Sequence, residues 1–164
     1  IHIEEMTTLL VAQEQRIKDF FAVMMAAFFH DVVLAPGDGD NEKKSAALAT
    51  ERLIPFVTSE VCERVASLIR ATEGHAPNPL DADLCLLIDA DLAILGASSA
   101  RFSDYDLAIR AEYRHIPNFL YRRGRRKFFQ RLAERVSIFH DPYFKAQFEE
   151  QARKNIAAAL EEDL

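Results

Sequence analysis

The stretch Phe20-Phe21-Ala22-Val23-Met24-Met25-Ala26-Ala27-Phe28-Phe29, which runs directly into His30-Asp31, decides how the chain reads. Its 10 apolar residues are too few for a membrane helix, which needs about 20. Apolar positions recur at helical spacing, first as Ile3, Met6, Leu9 and Leu10, then as Ile17, Phe20, Phe21, Met24, Met25 and Phe28. That spacing predicts two helices, or one with a break near Gln13 to Arg16. The second is apolar on most sides and therefore central.

Outward from His30-Asp31, the run Pro36-Gly37-Asp38-Gly39-Asp40 is the longest clear loop. Helix resumes from Asn41 to Ile54, with Asp40 or Asn41 as N-cap and Pro55 as its end. Thr58-Ser59-Glu60 opens a helix that reaches Thr72, and Gly74, Pro77 and Pro79 close it. Asp81 to Leu95 is helical with Gly96 as C-cap. Ser98 or Ser99 starts a helix to His115, Asn118 to Val136 forms another, and Asp141-Pro142 opens a last one with Pro at its favoured first position. No strand-like alternation, internal repeat or low-complexity segment intervenes. The expected fold is all-α, a bundle of seven or eight helices in one domain over residues 1–164 without an internal linker.

Composition fits that expectation. Of 164 residues, 49% are hydrophobic and 28% charged, which describes a soluble globular chain with a core and excludes disorder and fibrous repeats. The net charge of −6 argues against general attraction to nucleic acid or anionic membrane, so an anion site must be local. Positions 110–135 carry eight Arg and one Lys against Glu112 and Glu134. Because Phe119, Leu120, Phe128, Phe129 and Leu132 interleave with them, the solvated face of an amphipathic helix is the simpler reading. Cys62 and Cys85 sit in apolar helical stretches, which leaves no disulfide framework or Cys-based zinc site and suits a reducing, cytoplasmic setting. No signal peptide is visible. The chain starts at Ile1 rather than Met, which leaves native residues upstream open. A Gly-rich phosphate loop, a Cys-His nucleophile pair and a Gly-x-Ser-x-Gly elbow are all absent, so P-loop, thiol and serine chemistry lack support.

Four residues of metal-binding type stand in or beside apolar helices: His2, His30, Asp31 and Asp91. A single His in an apolar helix is ordinarily a hydrogen-bonded core residue, and an Asp ending a helix is ordinarily a cap. The combination changes the balance. Phe-Phe-His-Asp-Val-Val buries a chargeable pair among large apolar groups, and a buried unpaired carboxylate costs several kcal/mol unless a cation compensates it. An adjacent His-Asp can offer an imidazole nitrogen and a carboxylate oxygen to one ion, with further ligands from other helices. Such a mixed set suits one divalent Mn, Fe, Co, Ni or Zn better than Mg.

At these residues the chain resembles the HD-domain metal-dependent phosphohydrolases, whose pattern is a His, a His-Asp pair and a distant Asp on helices of an α-bundle. Ala26-Ala27-Phe28-Phe29-His30-Asp31 is similar to the central motif and Asp89-Ala90-Asp91-Leu92 to the last. Asp40-Asn41-Glu42-Lys43-Lys44-Ser45-Ala46, Ile88 to Gly96 and Tyr121-Arg122-Arg123-Gly124-Arg125 resemble a bacterial subfamily described as predicted HD phosphohydrolases, over essentially the whole chain.

The resemblance implies His2, His30, Asp31 and Asp91 as ligands of a single divalent metal, with Asp89 in reserve for Asp91. It implies Asp31 and Glu42 as the groups that orient or deprotonate the attacking water. Glu42 reads equally as a first-turn acid favoured by the helix dipole. His75, Lys43, Tyr121 and Arg125 become candidates for contact with a phosphorylated small molecule, a nucleotide or nucleotide-like compound. Each has a plainer alternative as a surface or solvated-face residue. The implied activity is hydrolysis of a phosphomonoester or phosphoanhydride; the alternative is a nucleotide-binding or interaction module on the same scaffold without turnover. The aromatic-rich C-terminal helices either bury a homodimer face or complete the core.

Overall fold

The computed structural model describes residues 2–35, 39–75 and 77–162. Among them the chain is all-helical, with no strand: α1 (His2–Ala12), α2 (Phe20–Phe29), α3 (Asn41–Leu53), α4 (Ser59–Ala71), α5 (Ala82–Leu92), α6 (Ser99–Glu112), α7 (Asn118–Ala133) and α8 (Pro142–Glu162). Short 3₁₀ turns occupy Glu14–Arg16, Glu73–His75 and Ala93–Gly96. Pro36, Gly37 and Asp38 of the expected loop lie outside the described residues. None of the described helices is long and apolar enough to cross a membrane.

The chain divides into two compact units, Ile1–Asp91 and Leu92–Leu164. In the first, α2 packs against α1, α3 and α4. Its contact stripe is Ala22, Val23, Ala26 and Ala27, all fully buried, while Phe21 and Phe28 are 45% and 50% exposed. The helix is therefore buried along one stripe rather than on most sides. Small residues at i, i+4 spacing let backbones approach, and the larger rings turn outward. The break between α1 and α2 falls at Glu14–Arg16, where Arg16 Nη1 donates to Gln13 Oε1 at 2.7 Å. Asp19 then caps α2 by accepting the Ala22 N–H at 3.0 Å.

Two carboxylates, buried Asp83 and half-buried Asp81, hold the entry to α5. Asp83 accepts the N–H groups of Lys18 (2.8 Å) and Asp19 (3.0 Å) and so ties α5 to the start of α2. Asp81 accepts the Leu84 N–H at 3.1 Å and takes both guanidinium nitrogens of Arg64 at 2.7 and 2.9 Å. After His30-Asp31, polar side chains of α3 fasten the backbone: the Val33 N–H donates to Ser45 Oγ (3.1 Å) and the Ala35 N–H to Asn41 Oδ1 (2.9 Å).

In the second unit, α8 packs on the Ala93–Gly96 turn and on α7. Buried Asn155 donates to the carbonyls of Leu95 and Ala97, both at 2.8 Å. Gly96 is not a left-handed cap; Gly74 alone among the described glycines has positive φ. A Cβ at Gly96 would stand 2.6 Å from Phe148 Cβ and from its carbonyl oxygen, so close passage of the α8 backbone is what requires Gly here. The helices α6 and α7 each stop three residues before the expected end. Arginines take up the carbonyls just beyond them: Arg110 Nη1 donates to Tyr113 O at 2.7 Å, and Arg153 Nη2 to Arg135 O and Val136 O at 3.0 Å.

Two outcomes test this packing. Gly96→Ala should destabilise the chain by about 1–3 kcal/mol, read as a lower urea midpoint at unchanged slope, because backbone atoms of α8 cannot step aside. Glu149 accepts the N–H groups of Ile138 and Phe139 at 3.0 and 3.1 Å. Burial raises its pKa, but these donors and Arg153 outweigh it and hold the carboxyl below its ordinary 4.5. Its contribution is therefore present above the unfolded pKa and lost as pH falls through the folded one. The stability gap between wild type and Glu149→Gln should be constant above about pH 5.5 and shrink on acidification. A gap independent of pH would contradict that assignment.

Candidate metal centre

His30 follows the last residue of α2, and local chemistry orients it. Its Nδ1 lies 2.9 Å from Ala27 O, a carbonyl that the helix end leaves in need of a donor. Donation from Nδ1 leaves Nε2 as the nitrogen that faces the rest of the cluster. That atom is buried and, among the described residues, has no aligned hydrogen-bond partner.

Around it stand groups from four parts of the first unit. Asp91 Oδ1 is 3.5 Å away and Asp31 Oδ2 is 3.4 Å away. His2, from the first turn of α1, places Nε2 2.9 Å from Asp91 Oδ1. His75, from the turn before α5, places Nε2 3.0 Å from the other oxygen, Asp91 Oδ2. Donor atoms of His2, His30 and Asp91 all lie within 4.8 Å of one another and could hold a metal ion. Asp31 adds an exposed carboxylate beside His30, outside that three-residue group. The spacing of 60 residues between Asp31 and Asp91 is closed at His30, whose Nε2 has an oxygen of each within 3.5 Å.

The electrostatics of the cluster are one-sided. Burial alone would push a proton off His30, but Asp31 and Asp91 outweigh it and its pKa is pushed up to about 11. Both carboxylates act at contact range, Asp31 from 3.4 Å and Asp91 from 3.5 Å, through polar contact and charge together. Burial likewise opposes ionisation of Asp91, yet His2, His30 and His75 hold its carboxyl well below the ordinary range. A site that attracts a proton this strongly onto a nitrogen without other partners offers the same negative potential to a cation.

The remaining sequence candidates fall as follows. Asp89 is fully buried on α5. Glu42 is half-buried in the first turn of α3, where the dipole favours an acid. Lys43 is exposed and paired with Asp40 at 2.6 Å. Tyr121 and Arg125 lie on α7 in the second unit. Arg125 pairs through Nε with Asp106 at 2.9 Å, and its guanidinium lies 4.4 Å from the Phe129 ring centroid. Arg110 stands 4.8 Å over the Tyr121 ring, and burial pushes the Tyr121 hydroxyl up to about 12.

Sequence reasoning placed His75 beside a substrate rather than on Asp91, and missed the Ala27 carbonyl and Asp83. A carbonyl three residues before a His at a helix end is a readable signal; the contact of His75 with Asp91 has none. Comparison with protein-family models, curated proteins and solved structures finds no match to the chain.

With cations stripped by a chelator, nitrogen NMR of the imidazole should show His30 still doubly protonated at about pH 8, and Asp91→Asn should move its titration downward. A His30 that titrates normally in wild type would contradict the field described here.

Proposed function

We propose that the chain is a metal-dependent phosphohydrolase of the HD type, hydrolysing a phosphomonoester or phosphoanhydride. The observation that carries this reading is His30 Nε2: a buried nitrogen without an aligned hydrogen-bond partner among the described residues, with Asp31 and Asp91 oxygens at 3.4 and 3.5 Å. Two imidazoles and a carboxylate within 4.8 Å fit a divalent ion of the Mn, Fe, Co, Ni or Zn kind in donor type. His2, His30 and Asp91 would hold it, with Asp31 as the additional oxygen donor. A divalent ion there supplies Lewis-acid polarisation of a phosphoryl oxygen and acidification of water.

The protein groups divide the remaining work. Ala27 O fixes the His30 tautomer by accepting from Nδ1, which keeps Nε2 aimed at the cluster. Asp31 would orient water and accept a proton from it, a role that its 55% exposure supports. Glu42 is the second candidate for that role. The nucleotide character of the substrate rests on the resemblance of the Asp40 to Ala46 and Ile88 to Gly96 segments alone.

Elemental mass spectrometry of the purified chain should find close to one equivalent of metal, lost in His30→Ala and Asp31→Ala together with hydrolysis of phosphorylated compounds. Metal at a hundred times its Kd should stabilise wild type by about 2.7 kcal/mol and leave His30→Ala unmoved. Retained turnover in either variant would sink the mechanism. Tight nucleotide binding with intact nucleotide after long incubation would favour the binding module.

A further inference from the structure

We infer that His75 is a positioning residue for the Asp91 carboxylate, holding one of its oxygens so that the other faces the cation donors; this rests on the metal reading above. The two oxygens of Asp91 are divided between different partners. Oδ1 lies 2.9 Å from His2 Nε2 and 3.5 Å from His30 Nε2. Oδ2 lies 3.0 Å from His75 Nε2. His75 is not one of the three residues whose donor atoms group within 4.8 Å, so its imidazole addresses the carboxylate from outside that group.

The backbone that delivers His75 is unusual. Gly74 and His75 have φ of 71° and 52°, and His75 is the single non-Gly residue with positive φ among those described. An L-residue in the left-handed region is strained, and strain of this kind persists where the surroundings over-determine the conformation. Two contacts secure the turn: the His75 N–H donates to Thr72 O at 3.0 Å, and buried Thr72 Oγ1 donates to Ile69 O at 2.7 Å. The reversal turns the chain back after α4 and brings an imidazole onto α5.

A hydrogen bond from Nε2–H to Oδ2 fixes rotation of the carboxylate about its Cβ–Cγ bond. Without it, Asp91 can turn both oxygens or neither toward His2 and His30. Groups that orient a ligand in this way typically change metal affinity by about 10–100-fold.

Co(II) affinity of the full chain, measured by competition with a chromophoric chelator, tests the inference with two substitutions. Gln carries its amide nitrogen close to the place of imidazole Nε2, whereas Asn is too short to reach Oδ2 but tolerates the left-handed backbone. His75→Asn should weaken Co(II) binding by about 10–100-fold, and His75→Gln should stay within about threefold of wild type. Melted without metal, His75→Asn should still unfold in one cooperative transition, at a midpoint lowered by the lost Asp91 contact but with no added backbone strain. Wild-type affinity in His75→Asn would overturn the inference. So would loss of all binding in both variants to the level of Asp91→Ala, which would make His75 a ligand itself. A wild-type chain that takes up no Co(II) would remove the metal reading, and the inference with it; that outcome is separate from normal binding that ignores His75.

Discussion

Asp91 is a carboxylate almost withdrawn from water on a helix whose neighbouring residues are buried, and the first unit is arranged to keep it ionised. An isolated ion in such surroundings would cost several kcal/mol. Three imidazoles compensate it, from the first turn of α1, the end of α2 and the turn before α5. Each partner constrains an element: α1 must lie beside α2, α2 must end where it does, and the chain after α4 must reverse. The cluster thus specifies relative placement within the unit as well as offering chemistry.

The surrounding polar groups hold these placements. Asp83 receives two backbone N–H groups ahead of α2, and Arg64 clasps Asp81 at the start of α5. Ser45 and Asn41 take the backbone N–H groups of Val33 and Ala35, just past His30-Asp31. The Asp40 to Ala46 segment therefore has a structural use besides any role for Glu42: it secures the chain that leaves the metal-type pair. A rigid mount of this sort is what keeps ligand-type side chains within a fraction of an ångström of one geometry.

The second unit is built differently. Its polar groups chiefly satisfy helix ends: Asn155 takes two carbonyls, Glu149 two N–H groups and Arg153 the carbonyls after α7, while Arg153 also pairs with Glu149 at 2.7 Å. Aromatic rings fill the space between, with Phe129 6.0 Å from Phe102 and Phe144 5.9 Å from Phe148. The basic run on α7 is partly absorbed here. Arg125 is neutralised by Asp106 and stacked on Phe129, and Arg126 donates to Leu160 O at 3.2 Å.

Helix positions were legible in the sequence because the 3.6-residue period and the stop signals at Pro55, Gly74 and Pro77 are local properties. Helix ends were less so, since Arg110 and Arg153 decide them through contacts remote from the periodic pattern. Which face of α2 is buried was misread for a similar reason: an all-apolar helix carries no contrast, and the alanines rather than the rings make the close contacts. Residue type and resemblance named His2, His30, Asp31 and Asp91. Their distances, the orphaned Nε2 of His30 and the hold of His75 on Asp91 Oδ2 depend on where α1, the end of α2, the turn after α4 and α5 come together. Gly96 shows the same division: sequence marked it as a helix stop, and only packing revealed that the backbone of α8 needs the missing Cβ. Periodicity is written along the chain, whereas a site is a coincidence in space between residues far apart in it, and only the folded chain brings that about.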